Sequence, residues 1–181
     1  MGFLNRIFGR DGAATTDARR IYAKLMSQSR LPNFYGEGRF ADDYDGRIDV
    51  LTLHIAAILS NLNRFGQNGE RLGQALFDEM KDDFEIALRE EALSDASVKK
   101  RIEPMISLFY DRVKKYAEAL NQPDAKQALE LAFSETLSSD GGVASFPKTI
   151  AAYQLAFNES LSNCSLGQIA LTAFDFPTLM N

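Results

Sequence analysis

The sequence predicts an all-α fold, a compact single-domain bundle of about six to seven helices, and three observations carry this. Apolar residues recur three and four apart over long stretches, and the Val, Ile and Thr alternation that marks strands is absent. Pro, Gly and Ser or Asp positions break the chain at helix-length intervals. With 181 residues the chain fits one domain, burying about two-thirds of the surface that its unfolded form exposes.

Residues 1–16 read as a separate N-terminal segment and 17–181 as the helical domain. Phe3, Leu4, Ile7 and Phe8 share one helical face with Arg6 and Arg10 off it: an interfacial anchor, a frayed terminus or a staple onto the core. This apolar stretch is too short and too charged for a signal peptide. Thr15-Thr16-Asp17 offers an N-cap for a first helix over Asp17–Ser29, with Ile21, Tyr22, Leu25 and Met26 inward. Leu31-Pro32 stops it, and Gly36 and Gly38 keep the next stretch irregular.

A second helix spans Asp45–Phe65 and ends at Gly66. It is apolar on more than one face and is therefore central. A third, Glu70–Ala92, carries Leu72, Leu76, Met80, Phe84 and Leu88 four apart, with acids opposite. A fourth spans Ser97–Asn121, where Pro104 predicts a kink or break near Ile102. Pro123 is placed to open a fifth helix to Leu137, and Pro147 a sixth to Asn163. Leu166–Phe174 fits a short terminal helix.

Net charge is −5, which argues against a general nucleic-acid binder. Residues 1–30 nevertheless hold six Lys/Arg, a feature that suits an anionic membrane surface or ribosomal RNA, or simply solvated helix faces. One cysteine, Cys164, excludes an internal disulfide and suits a reducing compartment. No apolar run approaches the ~18–20 residues that span a bilayer.

Little here supports catalysis. The single histidine, His54, has apolar helical neighbours, which predicts a core position with a carboxylate partner. Zinc or iron would need His/Cys sets that the chain lacks, and no Gly-rich phosphate loop is present. We expect no cofactor and no metal. Asp78, Asp82, Asp83 and Glu85 read as an exposed acidic face.

A polar network is the structural expectation. Asp43 or Asp45 caps the second helix, Gly46 allows a close backbone approach, and Arg47 forks to Asp78 or Glu85. Asp83, beside the apolar stripe, needs Arg89 or Arg112. The Tyr35 and Tyr110 hydroxyls would find Asp43, Asp45 or Arg47 if buried. Arg47→Ala or Asp83→Ala is then strongly destabilising.

Between Tyr22 and Leu120 the chain carries ordered polar words: Phe34-Tyr35, DYDGRIDVLTLH at Asp43–His54, QALFDEM at Gln74–Met80, Leu88–Glu90 and FYDR at Phe109–Arg112. In this the sequence resembles the ubiquinol–cytochrome c chaperone family, assembly factors of the cytochrome bc1 complex. It departs from the family pattern in Glu91–Arg101, with Lys99 where a proline is expected, at Pro104, and at Asp111 in place of a glycine.

The resemblance implies a non-catalytic helical chaperone of a bacterium. It would bind nascent or unassembled cytochrome b in the cytoplasm or peripherally on the cytoplasmic face of the inner membrane. Such a task needs an apolar surface rimmed by polar residues, for which Phe77, Phe84 and Phe109 are candidate wall or core. The alternatives are a lipid or acyl-chain carrier using the same aromatics, an enzyme acting through His54, and a non-catalytic scaffold with another client.

Overall fold

The computed structural model describes residues 3–90, 95–137 and 145–179. Among these residues seven α-helices follow in order: α1 Phe3–Ser29, α2 Tyr44–Leu62, α3 Gly66–Glu90, α4 Asp95–Leu120, α5 Ala125–Leu137, α6 Phe146–Ser162 and α7 Leu166–Ala170. Short 3-10 turns sit at Pro32–Phe34 and Asn63–Phe65, and no strand occurs among the described residues.

α2 is the axis of the bundle. Thirteen of its 19 residues are buried, including Val50, Leu53, Ile55, Ala56 and Ile58, so it needs neighbours on every side. α1, α3, α4 and α6 supply them, and α5 closes against α4 and α6. The stripe of α3 behaves as its spacing predicts, with Leu72, Leu76, Met80, Phe84 and Leu88 all buried.

Two glycines fix the ends of α2 through close contact. A Cβ on Gly46 would lie 2.1 Å from the Ala41 carbonyl oxygen, so the entry turn folds onto the first helical turn only without a side chain. A Cβ on Gly69 would lie 1.9 Å from the Leu62 carbonyl oxygen, which ties α3 against the end of α2. Asp43 is the N-cap of α2 and accepts from the Gly46 N–H at 2.8 Å, leaving Asp45 in the first turn.

Several boundaries differ from the sequence reading. α1 begins at Phe3, not Asp17, because the helix-forming stretch before Asp17 continues it. Thr16 does not cap; its hydroxyl donates back to the Gly12 carbonyl at 2.9 Å. The side chains of Phe3, Leu4, Ile7 and Phe8 lie outside the described residues.

α3 starts directly at Gly66, and α4 starts at Asp95 and runs unbroken through Pro104. Pro104 is exposed, so the carbonyl that loses its N–H partner, on Lys100, lies on the solvent side. Pro123 stands before α5 rather than opening it, since Asp124 accepts from the Gln127 N–H at 3.0 Å. Pro147 lies in the first turn of α6. α7 ends at Ala170, and a turn at Leu171-Thr172, with Thr172 at φ 55°, leads into a non-helical tail rather than on to Phe174 as helix.

This tail is fastened to α1. Arg20 donates to the Ala170 carbonyl at 2.8 Å, and Lys24 donates to the Thr172 and Phe174 carbonyls. The Lys24 ammonium also lies 4.4 Å from the Phe174 ring centroid. Arg19 pairs with Glu79 at 3.1 Å. Half of the basic residues in the first thirty therefore hold the fold.

Candidate functional site

The expected network joining α2, α3 and α4 is not formed. Arg47 forks to Asp42, through Nε at 3.2 Å and Nη2 at 2.9 Å, rather than to Asp78 or Glu85. Asp42 lies in the same entry turn and is closer than any carboxylate of α3. Asp83 accepts from the Tyr22 hydroxyl at 2.8 Å instead of pairing with Arg89 or Arg112. Burial and the carboxylate beside it push the Tyr22 phenol far above its ordinary range. Arg89 lies 3.8 Å from Glu85 on its own helix, and Asp78 accepts from Gln74 at 2.8 Å.

Arg112 reaches across to α2, where its partner is Asp49, a mostly buried carboxylate absent from the sequence expectation. The signal was present: an Asp inside an apolar helix requires a cation or donors. Tyr35 is buried and donates to the Ser29 carbonyl rather than to an Asp or to Arg47. Burial pushes its phenol up to about 12. Tyr110 is half exposed and needs no buried partner.

His54 is fully buried, as expected, but its partners are not carboxylates. Nδ1 lies 2.7 Å from the Val50 carbonyl and Nε2 lies 2.7 Å from the Tyr153 hydroxyl. A carbonyl can only accept, so Nδ1 carries the proton and Nε2 accepts from Tyr153. Gln28 donates to the same hydroxyl at 3.0 Å, which links α1, α6 and α2 through one chain of bonds.

The rings of Phe34, Phe157 and Phe176 meet the imidazole edge-on at 5.4–5.6 Å. Burial lowers the His54 pKa to about 4, against a smaller opposing effect of the Val50 bond. A neutral imidazole walled by aromatics and away from solvent is an internal strut. α6 adds two further ties to α2, from Gln154 to the Leu53 carbonyl at 2.8 Å and from Asn61 to Asn158 at 2.7 Å.

What the structure does bring together is a groove around Tyr44. On one side, Met26, Ser29 and Arg30 of α1, Arg47, Ile48 and Leu51 of α2, and Asp83, Phe84, Ile86, Ala87 and Glu90 of α3 line a depression of about 310 Å³. On the other, Asp45, Leu88, Ser97, Lys100, Arg101, Pro104 and Met105 line one of about 500 Å³. Tyr44 borders both, so the two adjoin across the N-terminus of α2.

The groove floor is apolar, with Leu51, Phe84 and Leu88 nearly covered, while Ile86 stands 55% exposed on its edge. The rim carries both signs: Arg30, Arg47 and Lys100 against Asp45, Asp83 and Glu90. An apolar floor within a charged rim can hold a greasy segment while its polar flanks stay solvated.

Of the residues singled out from sequence, Asp45, Arg47 and Asp83 line the groove. Tyr35, His54 and Arg112 serve the interior, and Asp78, Arg89 and Tyr110 lie elsewhere on the surface. Of the three candidate wall aromatics, Phe84 and Phe109 belong to the core and Phe77 is half buried. Sequence reasoning missed Tyr44, Ile86 and Met105. Two apolar groups left outside the packed stripes, Tyr44 and Ile86, were the available signal.

No cluster of His, Cys, Asp or Glu suited to a metal occurs among the described residues. Nor is any described helix long and apolar enough to cross a membrane.

The ubiquinol-cytochrome C chaperone family model matches residues 37–176. The crystal structure of the Cbp3 homolog from Brucella abortus superimposes with a TM-score of 0.80 at 26% identity, over 98% of this chain and 98% of that chain. No curated protein matches the sequence. The family match begins after Phe34-Tyr35 and extends past the last polar word at Arg112, taking in α5, α6 and most of the tail that fastens onto α1. With this share of its length matched and the same helical architecture, the chain belongs to the ubiquinol–cytochrome c chaperone family.

Proposed function

We propose that this protein holds newly made cytochrome b in the Tyr44 groove during assembly of the bc1 complex, and that it forms and breaks no covalent bond in doing so. The observation that carries the reading is the groove itself. Its two depressions share Tyr44, each has apolar residues in its lining beside charged ones, and all but the α1 edge falls within the family-matched residues. An unassembled membrane subunit exposes apolar helices that aggregate in water, and reversible cover over part of one is sufficient protection. Burial of His54 supports a non-catalytic role, since the chain's single imidazole faces no solvent.

The protein acts in the cytoplasm, on or near the inner face of the membrane, where the client emerges from the ribosome. Arg6 and Arg10 of the N-terminal segment would meet an anionic lipid surface or ribosomal RNA, while Arg19, Arg20 and Lys24 also pair within the fold.

Photoreactive side chains at Tyr44, Ile86 and Met105 test the reading in cells, with Leu131 and Leu171 as exposed controls. Cytochrome b crosslinked from the groove positions and not from the controls supports it. Crosslinks of cytochrome b from the controls alone, or from no position, refute it. A co-purifying lipid crosslinked in its place points to a carrier.

A further inference from the structure

Away from the groove, Phe77 of α3 and Tyr110 of α4 stack at the surface, with ring centroids 4.7 Å apart and planes 32° from parallel. Tyr110 is 50% exposed, and Phe109 beneath the pair is buried. The nearby charges are unbalanced. Lys81 lies 4.0 Å from Glu85, Lys114 lies 3.8 Å from Glu118, and Arg112 pairs with Asp49, so the cations here have carboxylates. Asp78 has a neutral amide, Gln74, for its partner, and Asp111 beside Tyr110 is exposed. Asp78 directly follows Phe77 on α3, beside the ring that stacks on Tyr110, and the Tyr110 phenol is raised by partial burial and then by the Asp78 charge.

We propose that the Phe77–Tyr110 ring pair docks a basic protein segment, with an arginine or lysine of the partner over the open face of Tyr110 and within reach of Asp78. A ring face attracts a cation through its quadrupole, and an uncompensated carboxylate at its edge adds to that attraction. A partner carboxylate is repelled by the same two features. None of these residues lines the Tyr44 groove, so this contact stands or fails independently of where cytochrome b is held.

The test uses the full chain, isotope-labelled for NMR, titrated with the peptide acetyl-Leu-Arg-Leu-Arg-Leu-amide and with its glutamate counterpart. Saturable shifts of the Tyr110 and Phe77 ring signals are expected with the arginine peptide and none with the glutamate peptide. Tyr110→Ala and Tyr110→Leu should each raise the Kd by about two- to fivefold, the worth of one exposed cation–ring contact. Asp78→Asn should raise it in the same direction and flatten its salt dependence. Unmoved ring signals at millimolar arginine peptide overturn the proposal. So does a wild-type Kd in the folded Tyr110→Leu variant, which would leave apolar contact as the whole attraction.

Discussion

Lowering the pH from 7 to 5 is expected to remove about 2 kcal/mol of stability through one side chain, His54. An unfolded histidine titrates at about 6.5. In the folded protein His54 titrates at about 4, because burial among aromatic rings excludes the water that an imidazolium needs. Between these two values the unfolded chain binds a proton that the folded chain refuses. The contribution is therefore complete above about 6.5 and is lost as the pH falls toward 4.

The slope inside that window approaches ~1.4 kcal/mol per pH unit, and integration from 7 to 5 gives the figure above. Since the chain has one histidine, the assay is clean: urea unfolding at both pH values for wild type and for His54→Gln. Wild type should lose about 2 kcal/mol more than the variant between the two pH values. Equal losses would refute the claim that His54 is neutral and sealed in the folded state.

Other consequences can be checked by the same denaturation assay. Gly46→Ala drives a Cβ against the Ala41 carbonyl and should cost about 2–3 kcal/mol, whereas near-wild-type stability would show that the entry turn gives way. Asp49→Asn leaves the half-buried Arg112 without its charge partner, for an expected loss of about 3 kcal/mol. Arg47→Ala breaks only an exposed pair with Asp42 and should change stability by less than about 1 kcal/mol. Asp83→Ala strips the Tyr22 hydroxyl of its acceptor and should cost about 1–3 kcal/mol, and a ranking with Arg47 above Asp83 would contradict the pairing described.

The architecture was readable where periodicity was strong. Leu72, Leu76, Met80, Phe84 and Leu88 repeat every four residues and are all buried, and the all-round apolar α2 is the axis. The Asp43 cap and the close approach at Gly46 were readable for the same reason: each is a local requirement written in a few adjacent residues.

Ion-pair partners were not readable in this way. A guanidinium can reach many carboxylates, and Arg47 took Asp42 five residues away over the predicted acids of α3. The partners of His54 were hidden because Tyr153 lies 99 residues away on a helix whose own pattern demands nothing polar. His54 and Asn61 stand seven apart on one face of a buried helix, and that spacing was the clue to a neighbour offering polar groups. The groove was invisible because it is made by what packing leaves uncovered at the ends of four helices.

The central claim is that the Tyr44 groove keeps cytochrome b intact until assembly. Its most direct measurement is the lifetime of pulse-labelled cytochrome b in cells whose sole copy of this protein carries Ile86→Lys, set beside cells carrying Leu131→Lys. Both positions are more than half exposed, so both variants are expected to fold, and their accumulation is checked by immunoblot. The account predicts rapid loss of cytochrome b with lysine in the groove and a normal lifetime with lysine on α5. Equal lifetimes in the two strains would contradict it.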